Sequence, residues 1–233
     1  MWSLVQSAHQ GSDEAAAAAR RRLLDCYGGA VRRYLRRVLR DPDAADEVFQ
    51  EFAVRLLHGD LRGADPHRGR FRDFVKGTLL HLVADYRKRQ QRWPIPLPAD
   101  GLAVVESVEP EFDAAFADSW RDELLARAWA ALAAADGRTG QPFSAVLRFR
   151  ADHPDMRSPE LAEHLADRLG RPLSAAGVRQ VLHRAREKFA ELLLVEVGRV
   201  LDDPTPAAVE QELADLSLLD YCRPALGRRA LGV

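Results

Sequence analysis

Apolar residues recur every three or four positions along most of the chain, and nowhere do they alternate with polar ones over the length of a strand. Leu24, Tyr27, Val31, Tyr34/Leu35 and Val38 predict a first helix, which Asp41-Pro42 ends. Asp43 is placed to cap a second helix running through Ala45, Val48/Phe49, Phe52 and Leu56 to Gly59. After a polar loop over 59–69, a third helix carries Phe71, Phe74/Val75, Leu79, Leu82/Val83 and Tyr86. Trp93-Pro94-Ile95-Pro96-Leu97-Pro98 then puts proline at alternate positions, which forbids helix and favours an extended path. Beyond it Phe116, Trp120, Leu124 and Ala128 predict a helix, and Pro142 to Phe149 a shorter one. Ser158-Pro159 signals the start of a helix through Leu161, Leu165 and Leu169 that Gly170 stops. Ser174 can cap a long helix with Val178, Val181/Leu182, Ala185, Phe189 and Leu192/Leu193 inward.

The predicted fold is all-α: two small helical domains joined by a Pro-rich acidic linker, the second holding a helix-turn-helix. Boundaries are expected at 1–93, 94–118 for the linker, 119–198, and 199–233 for a C-terminal helical extension. In that extension Thr205-Pro206 can start a helix whose apolar stripe is Val209, Leu213, Leu216, Leu219 and Tyr221.

Charge sharpens this division. The chain of 233 residues has a formal net charge of −1, but residues 1–93 carry +6, 94–119 carry −6, 120–198 carry +1 and 199–233 carry −2. A basic block, an acidic connector and a second block with a basic helix suggest a polyanionic partner. No stretch is long and apolar enough for a membrane span, and Ala15 to Ala19 is followed by Arg20, Arg21 and Arg22, the reverse of a signal peptide's charge order. Cys26 and Cys222 match no metal spacing, so reduced thiols in a cytoplasmic protein are expected. No catalytic, metal or cofactor constellation is present, and no enzyme activity or cofactor is expected.

Three surfaces carry candidate chemistry. On the long helix of the second block, Arg179, Gln180, His183, Arg184 and Arg186 lie off the apolar seam. Arg suits guanine edges and Gln adenine, so this helix can enter a major groove. An ordinary solvated face would read the same, because the chain is rich in arginine throughout. In the first block Phe71, Phe74, Tyr86 and Trp93 are interleaved with Arg70, Arg72, Lys76, Arg87, Lys88, Arg89 and Arg92. Aromatics beside cations suit unstacked bases, although helical spacing assigns at least two of these aromatics to the core. Asp43, Asp46, Glu47 and Glu51 form an acidic helix face that cannot meet DNA; it is either solvated or docks a basic protein.

The stretch from Asp43 to Phe52 (DAADEVFQEF), Gly69-Arg70-Phe71-Arg72-Asp73-Phe74 and Asp85-Tyr86-Arg87-Lys88-Arg89 resemble conserved region 2 of the extracytoplasmic-function (ECF) sigma factors. The stretch from Gly177 to Phe189 (GVRQVLHRAREKF) resembles the recognition helix of their region 4. The resemblance spans roughly 20–93 and 120–193. It implies that Asp46, Glu47, Gln50 and Glu51 dock the clamp coiled coil of the RNA polymerase β′ subunit. It further implies that Arg70, Arg72 and Lys76 hold the melted strand and that Tyr86, Arg87, Lys88, Arg89 and Arg92 approach the −10 element. Arg179, Gln180, His183, Arg184 and Arg186 would then read the −35 element. The implied partners are core RNA polymerase, through its β′ clamp and β flap, and promoter DNA, with an anti-sigma factor or other regulator as a further candidate; no membrane is implied. Two features depart from the family: the helix from Glu160 to Gly170 is about a turn longer than usual, and 199–233 is not part of the minimal family. Two rival readings remain: a helix-turn-helix regulator acting without polymerase, and a sigma-like adaptor without DNA binding.

Overall fold

The computed structural model of the chain describes residues 13–57, 70–91, 109–170 and 172–230. The predicted loop at 59–69, Arg92 and the proline-rich stretch after it lie outside the described residues. Every regular element among the described residues is a helix: α1 (Asp13–Leu39), α2 (Pro42–Leu57), α3 (Phe71–Gln91), α4 (Glu109–Thr139), α5 (Phe143–Asp152), α6 (Ser158–Leu169), α7 (Ala175–Arg199), α8 (Pro206–Asp215) and α9 (Leu219–Ala230). The chain divides into two compact units. One comprises Met1–Glu123 with Val200–Asp202, the other Leu124–Arg199 with Asp203–Val233.

In the first unit the seam of α1 is Ala16, Ala19, Leu23, Tyr27, Ala30/Val31 and Tyr34/Leu35. Leu24 and Val38, expected inside, are half-buried, because the buried row passes through Leu23 and Tyr27 at i, i+4 spacing. Arg40 adopts a left-handed conformation (φ 55°) just past the end of α1. Asp41, not Asp43, caps α2: its carboxylate accepts from the backbone N–H of Asp43 at 2.9 Å and of Ala44 at 3.3 Å. The shift by two residues follows from Pro42, which occupies the first helical position and has no N–H to satisfy. Val48, Phe52 and Leu56 of α2 and Phe71, Val75, Leu79 and Leu82 of α3 complete the three-helix face.

Helix α4 runs through both units, and it begins at Glu109, inside the stretch 94–118 read as linker. Its first turns are core of the first unit. Phe112, Phe116 and Trp120 sit at i, i+4, i+8 and are buried, each side chain worth roughly 1.5–3 kcal/mol. Tyr34 packs edge-on to Phe116 at 5.5 Å between centroids, and Tyr27 lies 4.6 Å from Trp120. A Cβ at Gly29 would meet the tip of the Glu123 side chain, which would have to shift.

In the second unit Leu124, Ala128, Leu132 and Ala135 of α4 share a core with Val146, Leu147, Leu161, Leu165, Val178, Leu182, Ala185 and Phe189. Asp136 holds the start of α5. Its carboxylate accepts from the N–H of Phe143 (3.1 Å), the N–H of Ser144 (2.7 Å) and the Ser144 hydroxyl (2.6 Å). Helix α6 begins at Ser158 itself, so Arg157 takes the cap position there, and the Glu160 carboxylate accepts from its N–H at 3.3 Å. Gly170 ends α6 in the left-handed region (φ 63°), and the Ser174 hydroxyl caps α7 by accepting from Gly177 N–H at 3.1 Å.

The C-terminal extension is two helices rather than one stripe. Thr205 caps α8 as expected, accepting from Ala208 N–H at 3.2 Å. Ser217 then adopts φ 56°, and the register breaks there. Val209, Leu213 and Leu216 are buried, but Leu219 is only half-buried and Tyr221 is 42% exposed. Leu218, Cys222 and Ala225 take the inward positions instead.

Candidate functional site

The first surface lies on α2 and α3. Val48, Phe49 and Phe52 face the core, so the intervening positions must point outward: Glu47 and Gln50 are exposed, Asp46 and Glu51 half-exposed. The exposed Val54 (49%) continues the Glu47–Gln50 row by one turn. The four residues expected to dock a protein are thus together on one helix. Glu47 and Glu51 do not stand as isolated anions. Arg55 reaches the Glu51 Oε1 at 2.6 Å, while Arg89 of α3 reaches its Oε2 at 3.0 Å and comes within 3.8 Å of the Glu47 carboxylate. Arg89, expected on the nucleic-acid side, is therefore bonded to the acidic face, and its guanidinium pKa is raised, chiefly by the hydrogen bond to Glu51. Its guanidinium also lies 6.0 Å from the Tyr86 ring centroid.

The basic residues of α3 separate into two groups. Lys76 pairs with Asp113 at 3.0 Å. Arg87 lies over the Phe112 ring at 5.5 Å and donates to the Val38 carbonyl at 3.4 Å. Both therefore meet α4 or the end of α1, a neighbourhood that spacing along α3 could not reveal. Arg33–Glu123 (3.2 Å) and Arg37–Asp118 (3.3 Å) extend this row of acidic α4 residues on basic partners. Lys88 is exposed, Tyr86 half-buried with its hydroxyl accepting from the Gln90 amide at 3.0 Å. Arg70 pairs with Asp73 at 3.3 Å beside the start of α3, and Arg72, the second residue of that helix, is half-buried. Of the aromatics, Phe71 is buried and stacked 5.9 Å from the half-buried Phe74. Arg92 and Trp93 lie outside the described residues.

The second surface lies on α7. Its inward row Val178, Leu182, Ala185 and Phe189 leaves Arg179, Gln180, His183, Arg184 and Arg186 exposed, all five on the first three turns. Sequence spacing placed these correctly. It did not reveal what stands beside them. Glu187 lies 3.6 Å from His183 Nε2 and also pairs with Arg228 of α9 at 2.9 Å. Tyr221 packs edge-on to Phe189 at 5.9 Å. Burial, the largest cause, raises the Tyr221 hydroxyl pKa to about 12, although the nearby Arg186 works in the opposite direction. The extension is therefore packed against the later turns of α7 and leaves the exposed five uncovered within this unit.

Among the described residues no group of His, Cys, Asp and Glu could hold a metal ion, and no helix is long and apolar enough to cross a membrane. Cys222 is buried and Cys26 half-buried.

Residues 23–93 match the family model of Sigma-70 region 2. The matched stretch takes in α2 and α3 whole and α1 from Leu23 onward, so it contains both the acidic face and the basic end bonded to it. No curated protein and no solved structure matches the chain.

Proposed function

We propose that the chain is a sigma factor of the extracytoplasmic-function type, which binds core RNA polymerase and directs it to promoters. The observation that carries this reading is the Sigma-70 region 2 match over 23–93, with its acidic α2 face set apart from the core. In this reading Asp46, Glu47, Gln50 and Glu51 dock the β′ clamp. Arg70, Arg72, Lys76, Tyr86, Arg87, Lys88, Arg89 and Arg92 serve the −10 element and strand opening. The pair α6–α7 acts as a helix-turn-helix, inserting Arg179, Gln180, His183, Arg184 and Arg186 into the major groove of the −35 element, and unit two approaches the β flap. In this reading the protein is not an enzyme; polymerase supplies the chemistry. Its proposed location is the cytoplasm, where an anti-sigma factor or other regulator could bind it.

The test is co-purification with core polymerase and transcription from a promoter library. Asp46→Arg with Glu47→Arg should abolish retention on polymerase while leaving helicity by circular dichroism unchanged. Retention equal to wild type, with normal helicity, overturns the docking role. A protein that binds a DNA duplex yet never co-purifies with polymerase would instead be a regulator acting alone.

A further inference from the structure

Helix α7 presents five exposed cationic or polar side chains before it meets a carboxylate. From Ala175 to Arg186 it contains no Asp or Glu, and Glu187 is the first. That carboxylate is one turn beyond His183 on the same side of the helix, 3.6 Å from its Nε2, and its side chain is 33% exposed. Left alone, it would set a negative charge beside the path of a DNA backbone, which carries one negative charge per roughly 1.7 Å of helix axis. It is not left alone. Arg228 of α9 bonds its Oε1 at 2.9 Å. Helix α9 is held in place for this by the burial of Leu218, Cys222 and Ala225 and by the Tyr221 ring against Phe189.

We propose that the C-terminal helix α9 is a working part of the DNA-facing surface: Arg228 neutralises Glu187, so that the reading helix offers no free carboxylate to the phosphate backbone. This rests on the proposal that α7 binds DNA. It gives the extension a role opposite to masking. Arg223 of the same helix, by contrast, pairs with Asp220 of its own helix at 3.0 Å. Arg223 and Arg228 thus differ in their ion-pair partner, Asp220 for one and Glu187 for the other.

The experiment measures binding of the full chain to a mixed-sequence DNA duplex by fluorescence anisotropy across a salt titration. Arg228→Gln should weaken binding by roughly threefold to tenfold at low salt, the effect of about one charged contact. Arg228→Lys should keep most of the affinity, and Arg223→Gln should lose clearly less than Arg228→Gln. Adding Glu187→Gln to Arg228→Gln should restore the affinity. Equal binding by Arg228→Gln and wild type overturns the proposal. So does a loss that Glu187→Gln fails to restore, or an equal loss in Arg223→Gln. Arg184→Ala, outside this contact, reports separately on the reading helix: if it binds as wild type, or if the wild-type chain binds no duplex, the DNA reading itself has failed. Matched thermal melts exclude unfolding as the cause.

Discussion

Arg89 should act as a brake on polymerase docking. Its guanidinium bonds one oxygen of Glu51 at 3.0 Å and approaches Glu47 at 3.8 Å, while Arg55 holds the other Glu51 oxygen. A basic partner that docks on this face must compete for carboxylates already engaged from within the molecule. Arg89 is 50% exposed and Glu51 25%, so the pair belongs among partly solvated ion pairs, worth about 0.2–1 kcal/mol. Removing the arginine by Arg89→Ala releases that amount to the partner, a gain of roughly 1.4-fold to fivefold in affinity for core polymerase. The gain should shrink as salt is raised, because screening weakens the internal pair and the external contact alike. The assay is binding of the full chain to immobilised core polymerase without DNA, at two ionic strengths. Glu51→Gln serves as the opposite control and should weaken binding. If Arg89→Ala instead binds polymerase more weakly than wild type, Arg89 orients Glu51 for the partner rather than occupying it, and the competition argument fails.

Asp136→Ala strips the start of α5 of two N–H partners and should destabilise the second unit by about 1–3 kcal/mol in urea titrations, with Asp136→Asn intermediate; a loss under about 0.5 kcal/mol would show that water replaces the carboxylate. The Tyr34 hydroxyl is buried with no hydrogen-bond partner among the described residues, and burial pushes its pKa up, so Tyr34→Phe should be neutral or stabilising in the same assay. Burial raises the Cys222 thiol from 9.0 to about 11. The folded state therefore binds the proton more tightly than the unfolded one, and this stability is complete below pH 9, falls by about 2–3 kcal/mol as pH rises towards 11, and is flat above it. Cys222→Ala should flatten that part of the stability–pH profile. At neutral pH an alkylating reagent should modify Cys26 before Cys222, and the reverse order would contradict the burial.

What the sequence made legible were periodicities that packing alone decides. Most of the inward rows of α3 and α7 were legible, though Phe74 and Tyr86 of α3 are only half-buried, because a 3.6-residue period and the exposed remainder follow from one another. The cap of α2 was misread by two residues, since Asp41 and Asp43 are chemically equivalent and only the proline between them decides which is outside the helix. The first turns of α4 were missed as core of the first unit for a different reason. Phe112, Phe116 and Trp120 carry the right spacing, but spacing says which face is buried, not which neighbour buries it. The preceding run of alternate prolines and the acidic residues around it argued for a connector, and two of those same acids turned out to be partners: Asp113 for Lys76 and Asp118 for Arg37.

The charged residues of the candidate site expose the limit most clearly. Sequence reading sorted them by sign, sending the carboxylates of α2 to a protein and the arginines of α3 and α7 to nucleic acid. Sorting by sign assumes that each charge faces outward alone. In the folded chain opposite charges from elements far apart in sequence meet, Arg89 with Glu51 and Arg228 with Glu187, and nothing local in either segment announces the meeting. Each pairing lowers the charge available to an outside partner, but with opposite consequences. At α2 the internal arginine occupies a carboxylate that the proposed protein partner needs. At α7 it removes a carboxylate that the proposed DNA would avoid. One kind of contact therefore opposes binding on one surface and favours it on the other, and the sign of its effect is set by the charge of the partner, which a pair of single substitutions, Arg89→Ala and Arg228→Gln, measures in opposite directions.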